Sequence, residues 1–547
     1  MSQYTPTRVL LIRILVLLVF GLLALSPAAV LAQGASVPHE HYGKVHFPIS
    51  CSPEAQQLFD KGLGQLHSFF YPETVKTFTA VTVADPGCAM AYWGIAMSER
   101  PNPLIVPIPV DNLKRGWAAV QKAKAAGAKT ERERDYIAAV EAYYREPEGR
   151  DFSARILEYE QAMAEVHRRN PDDSEAAIFY ALAINEATDH ADKTYTRQFK
   201  AGALLEVVFA QQPEHPGIAH YIIHTYDFPP LAQRGLRAAR RYASLAPSAP
   251  HALHMPSHTF SMVGLWEELI PADTAAAAFY REYSAKQLQG AVTGGQLHSM
   301  DFLTYAYLQR AQDGEAKRLL DERNGIQKFF VRFLPLDTAY AAIPVRYAIE
   351  RGQWAAAAQI PPITTNFPAA AAISHFGRAL GAARSGAPAG AQADIARLEA
   401  LREALIQANQ TYWAEQVEIQ RKAAGAWVAK AEGRTDEAIL AMRAAADLED
   451  RSEKHIAMEN RLIPMRELLA EMLLESGQLE AALHEYEASL EAAPNRFRSY
   501  YGAGQAAERA GNRVRARIYY EKLVALGVRA DTERPELLAA KAFLASP

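Results

Sequence analysis

The chain has 547 residues, 49% of them hydrophobic, and a formal net charge of −4, so it is too long for one compact core. Acidic and basic residues are interspersed, with no basic stripe or basic-aromatic patch, which excludes nucleic acid as a partner. An Ala-rich, helix-forming composition with little β-branched clustering points to an all-α fold.

At the N-terminus Arg8 and Arg13 precede an apolar run from Ile14 to Leu25, and Val30-Leu31-Ala32 supplies small residues before Gln33. This is the pattern of a secretory signal over residues 1–32. Twelve apolar residues are too few to span a bilayer comfortably. Counted from Val9, the run is longer but contains Arg13, so a retained anchor is the alternative. The expected location is periplasmic or secreted, with no membrane contact after cleavage. Residues 33–50, with His39, His41 and His46, read as an extended arm. Cys51 and Cys88 are the only cysteines. In an oxidising compartment an even count favours a bridge, and a Cys51–Cys88 disulfide is expected. The alternative is two small buried thiols.

Further along, a 34-residue displacement recurs. Pro213, His220 and His224 return as Pro247, His254 and His258, and Gly477, Ala482 and Tyr486 return as Gly511, Ala516 and Tyr520. That is the period of the tetratricopeptide repeat (TPR), a helical hairpin that stacks into a right-handed superhelical solenoid. Gly62, Phe78, Pro86 and Gly94 fit its small and large positions. Pro101, Pro103, Pro107 and Pro109 make a loop. Residues 151–171 and 172–186 read as helices, with an insertion at 188–196 before repeats starting near Pro216 and Pro250. The solenoid with its histidine-rich side is expected over 51–400, and plain TPR repeats over 401–547.

Seven of the sixteen histidines fall between His190 and His258, where even spreading would put about two. In repeat register His220 and His254 are fifth, and His224 and His258 ninth, on first helices facing a concave groove. His298 and Asp301 occupy groove-facing positions of the following repeat, and Glu186 of the preceding one. Positions i and i+4 share a helix face, and packed helices lie about 8–10 Å apart. Two His-x-x-x-His pairs on adjacent helices can therefore aim four imidazoles at one point. Imidazole suits zinc, copper, iron and nickel. Asp301, Glu186 or Asp227 can complete the shell or orient a histidine from behind it. The helix interruption at Pro256 leaves His251 and His254 on a preceding turn.

Three readings compete: ordinary buried histidines bonded to a tyrosine or a carbonyl, polar contacts in a peptide-binding groove, and ligands of a transition-metal ion (zinc, copper or iron). The last extends to a metal-dependent oxidoreductase or hydrolase. The alternative function is a non-catalytic periplasmic scaffold that holds a peptide or protein ligand in its groove. His67, and the stretch containing His455 and Glu459, are weaker candidates for the same groove.

The strings Asp85-Pro-Gly-Cys88-Ala-Met-Ala-Tyr-Trp-Gly, His215-Pro-Gly-Ile-Ala-His-Tyr-Ile-Ile-His-Thr-Tyr-Asp227 and Ala249-Pro-His-Ala-Leu-His-Met-Pro-Ser-His-Thr-Phe260 resemble those of a family of exported bacterial TPR-containing proteins of uncharacterised function. The resemblance implies the fold and export, and no reaction. Relatives often carry a His-Pro-Leu-Trp string where this chain reads Arg100-Pro-Asn-Pro-Leu104, so a site using that histidine is reduced here.

Overall fold

The computed structural model describes residues 41–100, 102–104, 108–189, 192–453 and 461–546. The proposed export segment, His39, His190, His455 and Glu459 lie outside the described residues. By contacts the chain divides into Met1–His41 and Tyr42–Pro547, and the described helices belong to the second unit. They follow one another as hairpins from Pro53–His67 with Tyr71–Ala84 to Phe497–Arg509 with Arg513–Leu526. The fold is an all-α solenoid of TPR-like hairpins. The described residues hold no β-strand, only an isolated bridge between Val292 and Phe329. Among them no helix is long and apolar enough to cross a membrane.

Local chemistry explains the hairpins. Ser52 caps the first helix through its side chain, with Pro53 in its first turn, where a missing N–H costs nothing. Gly62 and Gly94 both face the ring of Phe78, at distances that leave little or no room for a Cβ. The period of 34 repeats this arrangement at the far end. Ala482 and Ala516 are fully buried, as are the rings of Tyr486 and Tyr520, which lie against Gly502 and Gly504. Gly477 and Gly511 each turn the chain at φ +77°, a conformation that glycine reaches without a steric penalty.

Residues 42–50 are extended, yet firmly held. The Phe47 ring is buried among Phe59, Trp93 and Tyr136. The Phe47 N–H donates to Asp60, the Ile49 N–H to Gln56 and the Ser50 N–H to Glu133. Just beyond, Cys51 and Cys88 form a disulfide.

The stack also fastens onto itself. The first helix packs on Pro216–Thr225, and Phe497–Arg509 packs on Gly294–Gln309. Trp266 Nε1 donates to the Asn495 carbonyl, the Asp531 N–H to the Ala311 carbonyl, and Arg534 pairs with Asp313. Fully buried Arg496 bonds Glu467, Glu350 and the Tyr305 hydroxyl. The C-terminal repeats thus close onto the middle of the chain, and this is where the histidines sit.

Candidate metal centre

Four helices carry the imidazoles. Pro216–Thr225 contributes His220 and His224, one turn apart. Pro250–His254 contributes His251 and His254, Pro256–Met262 contributes His258, and Gly294–Gln309 contributes His298. Proline opens three of the four. Met255 joins the two short helices in right-handed geometry, and its N–H still reaches the His251 carbonyl. The interruption at Pro256 therefore turns the helix without ending the run of histidines.

The six rings fall into two sets of three, and the potential ligand atoms of each set lie within 4.8 Å of one another. The first is His220, His224 and His251. Its ring centroids are 4.7 Å apart for His220–His224 and 4.9 Å for His220–His251, and Nε2 of His251 is 3.1 Å from Nε2 of His220. The second is His254, His258 and His298. His298 lies 4.7 Å from His254 and 5.7 Å from His258 by centroid. The sets face each other, with 6.1 Å between His224 and His258 and 6.4 Å between His251 and His254.

Hydrogen bonds fix the tautomers. His220 Nδ1 is 2.6 Å from the carbonyl oxygen of His67, which can only accept, so the proton is on Nδ1. His254 Nδ1 donates to Asp273 at 2.6 Å, and His258 Nδ1 donates to Asp227 at 2.8 Å. Asp273 is fully buried. Burial holds its pKa above the ordinary aspartate value, against the opposing pull of His254, Ser257 and Ser299. In each of these three histidines Nε2 is left as a lone pair. Nε2 of His254 and Nε2 of His258 are nevertheless 3.0 Å apart. Two lone pairs at that distance repel unless a cation or a proton lies between them. Carboxylates on the far nitrogens of such rings are the usual means of orienting metal-binding histidines.

The surroundings are aromatic. His220 stacks on Tyr242 at 5.0 Å and meets the edge of Phe69 at 4.5 Å. Phe69 is held at φ +51°, an unfavourable conformation for a bulky residue and one that clusters at functional sites. Phe302, one turn after His298, packs on all three rings of the second set. His220, His224, His254 and His258 are buried, whereas His251 and His298 are partly exposed. Burial first, and neighbouring imidazoles second, hold the pKa of His220 and of His251 well below the ordinary histidine value. Both rings are therefore neutral at pH 7, the form that binds metal.

The sequence-predicted residues divide accordingly. His220, His224, His254, His258 and His298 come together, in two sets rather than around one point. Asp301 is occupied elsewhere, with both oxygens on Arg346 at 3.0 and 3.1 Å. Glu186 pairs with buried Arg100, whose guanidinium lies 4.2 Å from the rings of both Tyr143 and Tyr159. Neither carboxylate belongs to a set. Asp227 orients a histidine from behind. His251 and Asp273 escaped sequence reasoning as site residues. For His251 the signal was present: it precedes His254 by one helical turn within the same motif.

A third group backs the first set. Glu175 accepts from His67 Nε2 at 2.9 Å and from His215 Nε2 at 2.8 Å, and His67 Nδ1 meets the Tyr221 hydroxyl at 3.0 Å. Burial raises the Glu175 pKa, but His67 and His215 outweigh it and hold the carboxyl far below its usual range. This closed cluster holds the His67 carbonyl against His220. It also explains Gly217, where a Cβ would lie 2.4 Å from the His67 ring.

No protein-family model matches the chain, and no curated protein does. Among solved structures it is similar to one described as Naa15/Naa10 bound to HypK-THB (12% identity, 90% of each chain covered, TM-score 0.24). It is also similar to yeast Tom70 (10% identity, 90% of this chain and 95% of that one, TM-score 0.26). Likenesses of this degree carry no information about the histidines.

Proposed function

We propose that this protein is an exported helical-repeat protein that binds transition-metal ions through the imidazoles of His220, His224, His251, His254, His258 and His298. The observation that carries this reading is the 3.0 Å approach of the His254 and His258 Nε2 atoms, with both Nδ1 protons committed to buried carboxylates. Neutral rings in that arrangement gain from a shared cation, and a proton satisfies only one pair. The choice of donors, imidazole without thiolate, suits copper, zinc, iron or nickel. The Cys51–Cys88 bridge supports an oxidising compartment.

A scaffold that holds a peptide against these histidines fits less well, because His220, His224, His254 and His258 are at most 5% exposed. Metal analysis of protein purified without chelator, beside a His224→Ala/His258→Ala double variant, tests the proposal. Bound metal that disappears in the variant is the expected result. A metal-free chain whose melting temperature ignores zinc, copper, iron and nickel would favour the scaffold.

A further inference from the structure

Building on that metal-binding reading, we propose that the two imidazole sets form one dinuclear copper site that binds dioxygen between its two ions.

Three observations converge. The first is equivalence: each set offers three imidazoles, and neither includes a carboxylate or a thiolate. Three protein nitrogens leave an open position on each ion for an exogenous ligand. The second is spacing. The facing rings, His224 with His258 and His251 with His254, are 6.1 and 6.4 Å apart by centroid. Ions bound about 2 Å from the ring nitrogens are then near neighbours, within the span of a two-atom ligand.

The third is charge. All six ligands are neutral when they coordinate, in a region walled by Phe69, Tyr242 and Phe302. The carboxylates that bond ligating rings are Asp227 and Asp273. Asp301 pairs with Arg346 and Glu186 with Arg100, while Glu175 bonds His67 and His215 and touches no ligating ring. Two cuprous ions bring two positive charges against those two carboxylates, and the site is balanced. Two divalent ions alone bring an excess of two positive charges into a largely buried region, which is costly.

Dioxygen restores the balance. Each Cu(I) gives one electron, O2 takes up two, and the O–O bond is reduced to a single bond as copper–oxygen bonds form. The two Cu(II) ions and the peroxide dianion then carry the same total charge as the two Cu(I) ions before them. No proton moves and no other reductant enters. A pair of zinc ions has no such step, and imidazole nitrogen binds copper more tightly than zinc in the divalent series. His251 and His298, the two partly exposed rings, mark the side from which a molecule as small as O2 enters.

The test is anaerobic titration of the metal-free full chain with Cu(I), with a parallel zinc titration, followed by admission of air. Two coppers per chain are expected. Oxygenation should produce an intense near-ultraviolet charge-transfer band and no copper electron-paramagnetic-resonance signal, because neighbouring Cu(II) spins cancel. His258→Ala should retain one copper, lose the band and, once oxidised, show about one visible Cu(II) per chain. If that variant melts early, His298→Ala on the partly exposed ring gives the same readout. Two coppers with the full signal of isolated Cu(II) would overturn the dinuclear site, and two zinc ions that copper does not displace would overturn its metal. A chain that binds no metal at all would remove the underlying metal-binding reading as well.

Discussion

Asp227 and Asp273 each hold a ring by its Nδ1, the nitrogen far from the facing Nε2 atoms of His258 and His254. Replacing either by asparagine retains the volume and removes the charge. Asp227→Asn and Asp273→Asn should each lower metal affinity by about 10- to 100-fold, read by competition with a chromogenic chelator. Their far-ultraviolet dichroism should match the parent's. Asp301→Asn should change metal affinity far less, since its carboxylate serves Arg346. At this scale the sequence was partly legible. The His-x-x-x-His pairs stood out because a repeat makes equivalent residues neighbours. Asp273 did not, because it lies on the long helix Trp266–Gln287 and no motif ties it to His254. Asp301 and Glu186 were misleading because groove-facing register says nothing about which cation a carboxylate will meet. In this fold buried Arg346 and Arg100 reach them first.

Among the elements, the two short helices around Pro256 decide how the histidines are shared. In an uninterrupted helix His251, His254 and His258 would fall at i, i+3 and i+7, one stripe on one face. The turn at Met255–Pro256 falls between His254 and His258, which share a set with His298, while His251, on the same short helix as His254, joins His220 and His224. Pro256→Ala, which permits a continuous helix, should leave overall helicity unchanged and weaken metal binding, with the loss concentrated in the set that contains His254 and His258. Calorimetric titration showing two unaltered binding steps would contradict this. The hairpins themselves were legible, because a period of 34 with small residues facing large ones is a packing rule written directly in the sequence. The firm seating of residues 42–50 was not. It depends on partners such as Glu133 and Trp93, which are far away along the chain.

For the molecule as a whole, covalent and ionic ties join one repeat to the next. The Cys51–Cys88 bridge closes a loop of 37 residues. Its reduction, or Cys51→Ser/Cys88→Ser, should cost about 4 kcal/mol by the chain-entropy argument, visible as a lower midpoint in urea. Glu467 is the ionic counterpart. Burial raises its pKa, but Arg496, Arg498 and the Ser499 hydroxyl outweigh it and hold the carboxyl below its ordinary value. Its contribution to stability is therefore present above a pH of about 4.3, the unfolded-state pKa, and is lost as pH falls through the folded value. Glu467→Gln should destabilise the chain by about 1–3 kcal/mol at neutral pH, because buried Arg496 keeps Glu350 but loses the other of its two carboxylates. The gap between parent and variant should narrow as urea unfolding is repeated at progressively lower pH below 4.

An open stack of repeats frays from its ends, each unit giving way with little effect beyond its neighbour. Here Trp266 grips Asn495, and Arg496 reaches Tyr305, so the tail is latched to the helix that presents His298 and to the one that carries Asp273 behind His254. Trimming the last hairpins should not merely shorten the array. It would unclasp the wall behind the imidazoles, which makes the carboxyl-terminal repeats custodians of a candidate centre to which none of their described residues contributes a ligand.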